Sequence, residues 1–295
     1  ADASRDTKEK AAGDKPAETR KATADSGPGG GETRGVASPA PPEASPRMNF
    51  RPSADGKKNA GNLVEQLGLS VRTILIDPGH GGKDPGAQGL YGVTEKDVNL
   101  RFAKILGEVL RQKGFNILYT RTTDVFIPLE TRTEMANTKG ADLFISIHCN
   151  SHGDAESSGL ETYSLNLANT RDAVRVAARE NAASQKKISD LQAILTDLML
   201  SAKTSESKDL ARFVQKKAVS EVRGKYATRD RGPHEAPFFV LIGANMPAVL
   251  VELGYITNPE EAKRLTSEAY MRTLAQGMAD GIVTYKKRIE RYANL

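Results

Sequence analysis

Short apolar segments alternate along the chain with longer segments in which apolar residues recur every three or four positions. Five short segments are rich in Ile, Leu, Val, Phe or Tyr and are bounded by Gly, Pro or Asp, which is typical of buried strands. They are residues 72–77, 115–121, 142–148, 159–165 and 247–255. Strands alternating with helices predict an α/β fold, in which a single twisted, mostly parallel sheet carries helices on both faces.

Helical spacing of apolar residues marks the segments between these strands. It predicts a helix over residues 95–113, with Thr94 as its N-cap and Gly114 as its stop. A second helix is predicted after Pro128, and a long one near the C-terminus. The sheet is therefore expected to be covered by several amphipathic helices.

Residues 171–208 do not fit this alternation. Their apolar positions form a narrow helical stripe that consists of Ile188, Leu191, Leu195 and Leu198. The stripe predicts an extra helical insertion between a strand and the helix that follows it. On pattern alone, a helical hairpin that only decorates the surface is as good an interpretation as a functional element.

The first part of the chain differs in composition from the rest. Between residues 1 and 47 the only bulky apolar residue is Val36. Such a segment cannot bury enough apolar surface to offset its chain entropy. We therefore expect residues 1–61 to form a disordered low-complexity tail or linker and residues 62–295 to form one domain. The chain carries no apolar signal-peptide core, and we expect its start without Met to reflect processing or trimming.

Net charge and hydropathy exclude several classes of function. The 295 residues carry a formal net charge of +5, and the basic residues are scattered along the chain. Nucleic-acid-binding domains usually show a clustered basic face, so we expect no nucleic-acid partner. No run of about eighteen apolar residues occurs, and the chain is not expected to span a membrane. The single Cys149 cannot form an internal disulfide.

Four side chains capable of acid–base or metal chemistry are predicted to meet at one edge of the sheet. His80 follows the first strand within a glycine-rich loop, His148 ends the third strand, and Glu252 lies near the end of the fifth. Glu95 opens the helix after the glycine-rich loop. In an open α/β sheet, functional groups gather beyond the carboxyl ends of the strands, so these side chains can converge.

Two imidazoles and one carboxylate with a free fourth position form a ligand set suited to catalytic zinc. A second carboxylate nearby could accept a proton from activated water and pass it to a leaving amine. Asp77 is expected to orient the ring of His80. The spacings match no short metal signature. The residues alone therefore leave three other interpretations open. In these, a histidine is structural, Glu95 only complements the dipole of its helix, and Glu252 is ion-paired.

Five sequence motifs, taken together, resemble a known enzyme family. They are IDPGHGGKDPGA, TEKDVNL, DLFISIHCNS, GLETYSL and PAVLVELGYITNPEEAKRL. Their order and spacing are similar to those of zinc-dependent N-acetylmuramoyl-L-alanine amidases of the Amidase_3 type, and the resemblance extends from Leu69 to the C-terminus. It implies that His80, Glu95 and His148 bind zinc and that Glu252 is catalytic.

The resemblance also implies a reaction and a location. Members of this family hydrolyse the amide between the lactyl group of N-acetylmuramic acid and the L-Ala of the stem peptide in peptidoglycan. The chain is therefore expected to act in the periplasm or cell envelope, with Zn²⁺ as its cofactor. Arg132 and Asn137 resemble positions that the family also carries, and we interpret them as structural first and substrate-facing second.

The insertion resembles one found in amidases that act in cell separation. In those enzymes a helix blocks the cleft until a LytM-type activator protein displaces it. The similar stretch here is RENAASQKKISDLQAILTDL. Our hypothesis is that Glu180 reaches the zinc and occupies its open position, and the competing interpretation is a surface helix with a solvated Glu180.

Two other functions stay open for comparison. A zinc peptidase that cuts within the stem peptide would use a similar ligand set, but no carboxylate-recognising pocket with an evident Arg stands out in the sequence. A catalytically inactive wall-binding protein would keep the fold, but it would be expected to lose one of the four site residues. The remaining histidines, His152 and His234, are interpreted as loop residues, with surface exposure expected for His234.

Overall fold

Six strands form a single mixed sheet in the computed structural model, which describes residues 70–168, 170–184 and 202–292. They are β1 Thr73–Pro78, β2 Asn116–Tyr119, β3 Leu143–Asn150, β4 Leu160–Leu165, β5 Asp230–Ala236 and β6 Ala248–Tyr255, in the order β2-β1-β3-β6-β4-β5. Only the β4–β6 pair is antiparallel among these strands. The predicted mostly parallel α/β sheet is confirmed.

The helices of the described residues cover both faces of this sheet. They are α1 Glu95–Gln112, α2 Leu129–Thr138, α3 Arg171–Glu180, α4 Ala202–Arg223, α5 Pro259–Leu265 and α6 Glu268–Tyr292. One face packs against a core that contains Phe102 of α1, Val214 of α4 and Leu274 of α6. The opposite face packs against Ala136 of α2 and Val176 of α3. None of the described helices is long and apolar enough to cross a membrane.

The central strands are buried on both faces, and this explains their nearly continuous apolar sequences. In β1, Ile74 and Ile76 belong to one core cluster, whereas Leu75 belongs to the other. Every residue of β3 and of β6 is buried. His148 and Glu252 are therefore fixed in the interior by the strands that carry them, where a polar group needs a partner.

Helix α1 begins and ends where the sequence predicts. Thr94 occupies the N-cap position, although its hydroxyl donates to Asp97 rather than accepting a backbone N–H. Gly114 follows the helix with a φ of 87°, a left-handed conformation that favours glycine. The helix therefore starts with its first residue, Glu95, directed back toward the preceding glycine-rich loop.

The sequence pattern did not predict strand β5. Strand β5 has the sequence DRGPHEA, which lacks an apolar run, and it forms an edge of the sheet beside β4. Pro233 is tolerated there because an edge strand leaves one side of its backbone without a strand partner. The interpretation of His234 as an exposed loop residue is wrong: it lies in this strand, partly buried, with its ring centroid 5.5 Å from that of Tyr163.

The first part of the predicted insertion is helix α3. The side chain of Thr170 accepts the backbone N–H of Ala173 and caps the helix. The face toward the sheet carries Ala173, Val176 and Ala177, all buried, whereas Val174 on the other side is half exposed. Helix α4 starts within the predicted range, at Ala202. The predicted tail, residues 1–61, and the stripe of Ile188, Leu191, Leu195 and Leu198 lie outside the described residues.

Candidate metal centre and active site

The loop after β1 brings His80 against His148. His80 has a φ of 60°, and its ring lies edge-on to that of His148 with 4.9 Å between the centroids. Gly79 makes this approach possible, because a Cβ atom there would lie 2.3 Å from the His148 ring. A second glycine, Gly86, leaves room in the same way for His80 and Glu95. The glycine-rich motif therefore serves close packing around the two imidazoles.

Two buried arginines hold the backbone of this loop. The guanidinium of Arg132 donates to the carbonyl oxygens of Pro78, at 2.9 Å, and His80, at 3.1 Å. The guanidinium of Arg121 donates to the carbonyl oxygens of Pro78, at 3.0 Å, and Gly79, at 2.8 Å. These bonds offset the cost of a left-handed conformation at a non-glycine residue. These contacts agree with the interpretation that the main role of Arg132 is structural.

Four side chains direct nitrogen and oxygen atoms toward one point. Nε2 of His80 and Nδ1 of His148 each lie 3.1 Å from Oε1 of Glu95. Oε2 of Glu180 lies 3.0 Å from Nε2 of His80 and 2.8 Å from Nδ1 of His148. All four ligand atoms lie within 4.8 Å of one another, so the group could hold a metal ion. The insertion residue Glu180 is thus part of this cluster and is buried.

The hydrogen bonding of the cluster is incomplete in a way that fits a cation. Nε2 of His80 and Oε2 of Glu180 are buried, and neither forms a hydrogen bond of acceptable geometry despite their short contacts. Buried polar atoms without partners are rare and demand an explanation. A metal ion at the shared point would accept these lone pairs, and the nitrogen and oxygen donors suit zinc.

The charges of the site also favour a cation. Burial disfavours protonation of both imidazoles, but carboxylates outweigh this effect. The charge of Glu95, the hydrogen bond to Asp84 and the close contact with Glu180 raise the pKa of His80. The charge of Glu180, whose Oε2 contacts Nδ1 of His148, raises the pKa of His148 to about 9. Carboxylates that stabilise positive imidazoles would stabilise a divalent cation in the same place.

Glu95 is oriented by backbone groups. Its Oε2 accepts the N–H of Ala87 at 2.8 Å, and its Oε1 accepts the N–H of Cys149 at 3.0 Å. Cys149 itself is buried, as expected for a small hydrophobe at this position. The carboxylate is therefore already directed toward the two histidines, which reduces the reorganisation needed to bind an ion.

Glu252 lies beside the cluster, on the strand next to His148. The two residues are register partners in the β3–β6 pair. Burial raises the pKa of the Glu252 carboxyl to about 8, although the positive charge of Arg179 opposes this. Its Oε1 lies 3.3 Å from Nη2 of Arg179, and its Oε2 is buried without a hydrogen-bond partner. A carboxyl group with this pKa can exchange a proton near neutral pH.

The carboxylate that orients His80 is Asp84, not Asp77. Oδ2 of Asp84 lies 2.9 Å from Nδ1 of His80, within a turn closed by the Gly81–Asp84 bridge. Asp77 is instead paired with Arg132 at 2.8 Å and accepts hydrogen bonds from Thr120 and Ser146. The carboxylate oxygens of Asp77 are taken up by these three partners, and the His80 ring bonds to Asp84 instead. The position of Asp84 four residues after His80 was the available signal.

The remaining sequence candidates lie away from the cluster or in supporting roles. Asn137 donates to the carbonyl of Gly243 at 2.8 Å and accepts the N–H of Asn245 at 2.8 Å, and so ties α2 to a loop. His152 accepts the backbone N–H of Asp154 at 3.0 Å. Arg179, which contacts Glu252, was not singled out from the sequence, because only the adjacent Glu180 suggested metal chemistry.

Comparison with known proteins identifies the family of this chain. Residues 74–284 match the family model Amidase_3, described as N-acetylmuramoyl-L-alanine amidase. The chain is 37% identical over 225 residues to the N-acetylmuramoyl-L-alanine amidase AmiA of Salmonella typhimurium, covering 73% of this chain and 76% of that protein. It is 36% identical over 223 residues to AmiA of Escherichia coli, covering 72% of this chain and 76% of that protein.

Solved structures give the same result. An N-acetylmuramoyl-L-alanine amidase from Clostridium difficile 630 matches with a TM-score of 0.57 and 33% identity, covering 73% of this chain and 97% of that chain. The CwlD amidase of Clostridioides difficile, solved in complex with the GerS lipoprotein, matches with a TM-score of 0.56 and 25% identity, covering 74% of this chain and 99% of that chain. The resemblance noted in the sequence is confirmed, and the chain belongs to the Amidase_3 family of N-acetylmuramoyl-L-alanine amidases.

Proposed function

We propose that this chain is a zinc-dependent peptidoglycan hydrolase of the cell envelope, held inactive by its own insertion. Its target bond is the amide between N-acetylmuramic acid and the L-Ala of the stem peptide. The observation that carries the proposal is the buried cluster of His80, Glu95 and His148, with Glu180 contacting both imidazoles and Glu252 beside them. Family membership supplies the substrate class.

His80, Glu95 and His148 would hold the zinc ion. Zinc bound there would supply Lewis-acid chemistry, because it polarises a carbonyl group and acidifies water. With Glu180 moved away, the space beside these three side chains would be open to substrate. Asp84 at Nδ1 fixes the His80 ring so that Nε2 faces the cluster.

Glu252 would serve as the general base and then as the general acid. It is buried beside the cluster, and its pKa of about 8 suits proton exchange at neutral pH. In its ionised form it takes a proton from the attacking water. It then delivers that proton to the amine of L-Ala as the amide bond breaks. This transfer leaves the free lactyl carboxylate on the sugar and a stem peptide with a new amino terminus.

Two adjacent residues at the end of α3 would keep this machinery inactive. Glu180 contacts the two histidines, and Arg179 contacts the base Glu252. Arg179 is also anchored to Oγ of Ser151, at 2.8 Å, and to Oδ1 of Asn150, at 3.1 Å. With these contacts in place, the substrate carbonyl could not enter, and the base would be engaged by a cation.

An activator protein would release the restraint by binding a state in which α3 has left the cluster. An activator shifts such an equilibrium only by its difference in affinity for the two states, and a few kcal/mol is enough for a large change in population. A LytM-type protein is the activator that we propose. The lipoprotein complex of CwlD gives a precedent for a protein partner of another amidase.

The bond that is cut distinguishes an amidase from a peptidase acting within the stem peptide. A soluble muramoyl peptide should be incubated with the zinc-loaded chain in which Glu180 is replaced by Ala, and the products identified by mass spectrometry. We expect intact stem peptide with an amino-terminal L-Ala. Shorter peptides would support the zinc peptidase instead. Zinc binding without cleavage of any kind would favour a wall-binding protein, and Glu252→Gln serves as the inactive control.

A further inference from the structure

The guanidinium of Arg179 lies in a corner made of oxygen atoms. Its Nη1 donates to Oδ1 of Asn150 at 3.1 Å, to Oγ of Ser151 at 2.8 Å and to the carbonyl oxygen of Ser151 at 3.4 Å. Its Nη2 lies 3.3 Å from Oε1 of Glu252. We call Asn150, Ser151 and Glu252 the amine corner. All four of these oxygen atoms serve as acceptors here, so the space suits a group that carries several N–H donors.

The side chain of Asn150 is held in one orientation by its neighbours. This residue is fully buried at the end of β3, on the same strand as His148. Its Oδ1 accepts the backbone N–H of Ser151 at 2.8 Å in addition to the guanidinium. Because both partners are donors, the oxygen and the nitrogen of the amide cannot be exchanged. The bond from Ser151 keeps the acceptor in place when Arg179 is removed.

The amide nitrogen of Asn150 is unused. Nδ2 is buried, and it has no hydrogen-bond partner among the residues that the structure describes. Buried donors without a partner are rare and demand an explanation. A ligand with an N–H group and a nearby carbonyl oxygen would satisfy both ends of this side chain. The first residue of a peptide has this pair of groups, because its amino nitrogen and its carbonyl group are attached to the same carbon atom.

The contact between Arg179 and Glu180 resembles a pair of cleaved products. Nε of Arg179 lies 2.6 Å from Oε1 of Glu180. Oε2 of the same carboxylate contacts both imidazoles of the metal cluster. Hydrolysis of an amide leaves a carboxylate and, directly beside it, an amine that is protonated at neutral pH. The end of α3 thus places a carboxylate at the cluster and a cation next to Glu252, in the order that the two products would have.

We propose that the amine corner binds the amino group of L-Ala that the reaction releases, and that Arg179 occupies the corner as a mimic of this group. The inference rests on the proposed function, because it assigns the two sides of the scissile amide to the two halves of the site. Oδ1 of Asn150 and the oxygen atoms of Ser151 accept the N–H groups of the amine. Nδ2 of Asn150 donates to the carbonyl oxygen of L-Ala, and Glu252 faces the nitrogen that it protonates.

A simpler interpretation is that the corner only docks α3. Arg175 of the same helix also donates to the carbonyl oxygen of Ser151, at 2.8 Å, so part of this surface does hold the helix. Docking alone does not account for the unused amide nitrogen of Asn150. The two interpretations differ in one measurable property, which is the affinity of the corner for an amine when Arg179 is absent.

Binding of two matched peptides to the full chain with Arg179→Ala tests the proposal. The probes are L-Ala-D-isoGln, which has a free amino group, and propionyl-D-isoGln, which lacks only that group. The NMR titration contains a chelator, so that no amine binds through a metal ion. We expect the amine to bind the variant about 10-fold more tightly than its analogue does, in line with charge-assisted hydrogen bonds. The unaltered chain should bind the amine more weakly, because Arg179 fills the corner. Equal affinities of the two peptides for the variant, or no saturable binding, would overturn the proposal.

Three further changes in the Arg179→Ala background locate the binding. Asn150→Leu removes both ends of the amide, and Ser151→Ala removes one acceptor. The control is Ser157→Ala, a partly buried serine of the same loop that contacts His152 instead. We expect Asn150→Leu to abolish the preference for the amine, Ser151→Ala to reduce it about 3-fold or more, and the control to retain it.

A thermal melt shows whether each variant is folded. Ser151 is only partly buried, so Ser151→Ala carries the test if Asn150→Leu does not fold. A preference for the amine that is unchanged in Ser151→Ala, or that survives in a folded Asn150→Leu, also contradicts the inference.

Failure of the amine corner and failure of the proposed function give different results. If a muramoyl peptide is cleaved at the expected amide but both probes bind Arg179→Ala equally, the function stands and the assignment of the corner falls. If the amine binds through Asn150 and Ser151 but no muramoyl peptide is cleaved, the corner stands as an amine site and the proposed function falls.

Discussion

The guanidinium of Arg179 lies 3.3 Å from the buried carboxylate of Glu252. The next residue along the chain, Glu180, reaches both imidazoles of the metal cluster. One helix end therefore contacts the proposed base through a cation and the proposed metal ligands through an anion. Because the two contacts are made by consecutive residues, a single movement of α3 would break both.

Replacing Glu180 by Ala should raise the basal rate of peptidoglycan hydrolysis. The change removes a charge-assisted contact of the closed state, and such a contact contributes about 1.5–3 kcal/mol, which corresponds to a rate increase of about 10-fold or more. Dye release from labelled peptidoglycan measures the effect. Glu134→Ala, an exposed glutamate on α2, is the control and should have no effect. An unchanged rate in Glu180→Ala would contradict the inhibitory role of this residue.

Arg179→Ala should also raise the basal rate, because it frees Glu252 and removes the bonds to Asn150 and Ser151. We expect an increase smaller than that for Glu180→Ala, since Glu180 would still occupy the cluster. The double variant should be at least as active as Glu180→Ala alone. A double variant less active than either single variant would show that Arg179 assists the reaction rather than restraining it.

Glu252→Gln should abolish hydrolysis while leaving metal binding intact. General acid–base catalysis by a positioned side chain contributes about 10²–10⁴-fold, and Gln cannot carry the proton. The measurement pairs the rate in a Glu180→Ala background with metal content by plasma mass spectrometry. Loss of the metal together with the activity would mean that Glu252 acts as a ligand instead.

Asp84→Asn should weaken metal binding, because Asp84 orients the ring of His80. Partners of this kind typically change metal affinity by about 10–100-fold. Competition with a chromogenic chelator gives the affinity directly. Asp154→Asn, in an exposed loop, is the control. If both variants retain full affinity, the His80–Asp84 contact does not matter for the ion.

Asp77→Asn should destabilise the fold rather than alter the chemistry. Its partner Arg132 is 1% exposed, and breaking a buried ion pair from one side typically costs about 3–5 kcal/mol. Burial raises the pKa of Asp77. The charge of Arg132 and the hydrogen bonds from Thr120 and Ser146 lower it by more than burial raises it, so the net shift is downward. Stability from Asp77 is therefore present above its unfolded pKa, about 3.9, and is lost as the pH falls through the folded value.

Urea unfolding at pH 7 and at pH 3 measures both effects. The native chain should lose part of its free energy of unfolding between these pH values, and Asp77→Asn should lose less because it has no carboxyl group to protonate at this position. An equal loss in both proteins would mean that Asp77 makes no contribution to the acid sensitivity.

The sequence predicts the central strands well and the sheet edge poorly, for a physical reason. Strands β1, β3 and β6 are buried on both faces, so most of their residues are apolar whatever their neighbours are. Strand β5 is held by pairing with β4, and its own residues DRGPHEA carry no apolar pattern. The position of His234 depends on that pairing and could not be recognised without it.

The candidate site is likewise predicted only in part from the sequence. His80, His148 and Glu252 follow from strand ends, and the structure brings them together with Glu95. Which aspartate reaches His80 depends on the turn at Gly81 and Gly82, whose φ values are 128° and 58°. The four-residue spacing to Asp84 indicates the contact only once the path of this turn is known. The position of Arg179 depends on the docking of α3, a tertiary contact.

Zinc content measured together with release of stem peptide tests the central claim most directly. The full chain and its Glu180→Ala variant should be loaded with zinc, freed of excess metal and incubated with purified peptidoglycan, with and without a chelator. We expect one zinc per chain in both proteins, little release by the full chain, and chelator-sensitive release of peptides with amino-terminal L-Ala by the variant. Release that persists after complete removal of the metal would contradict the account.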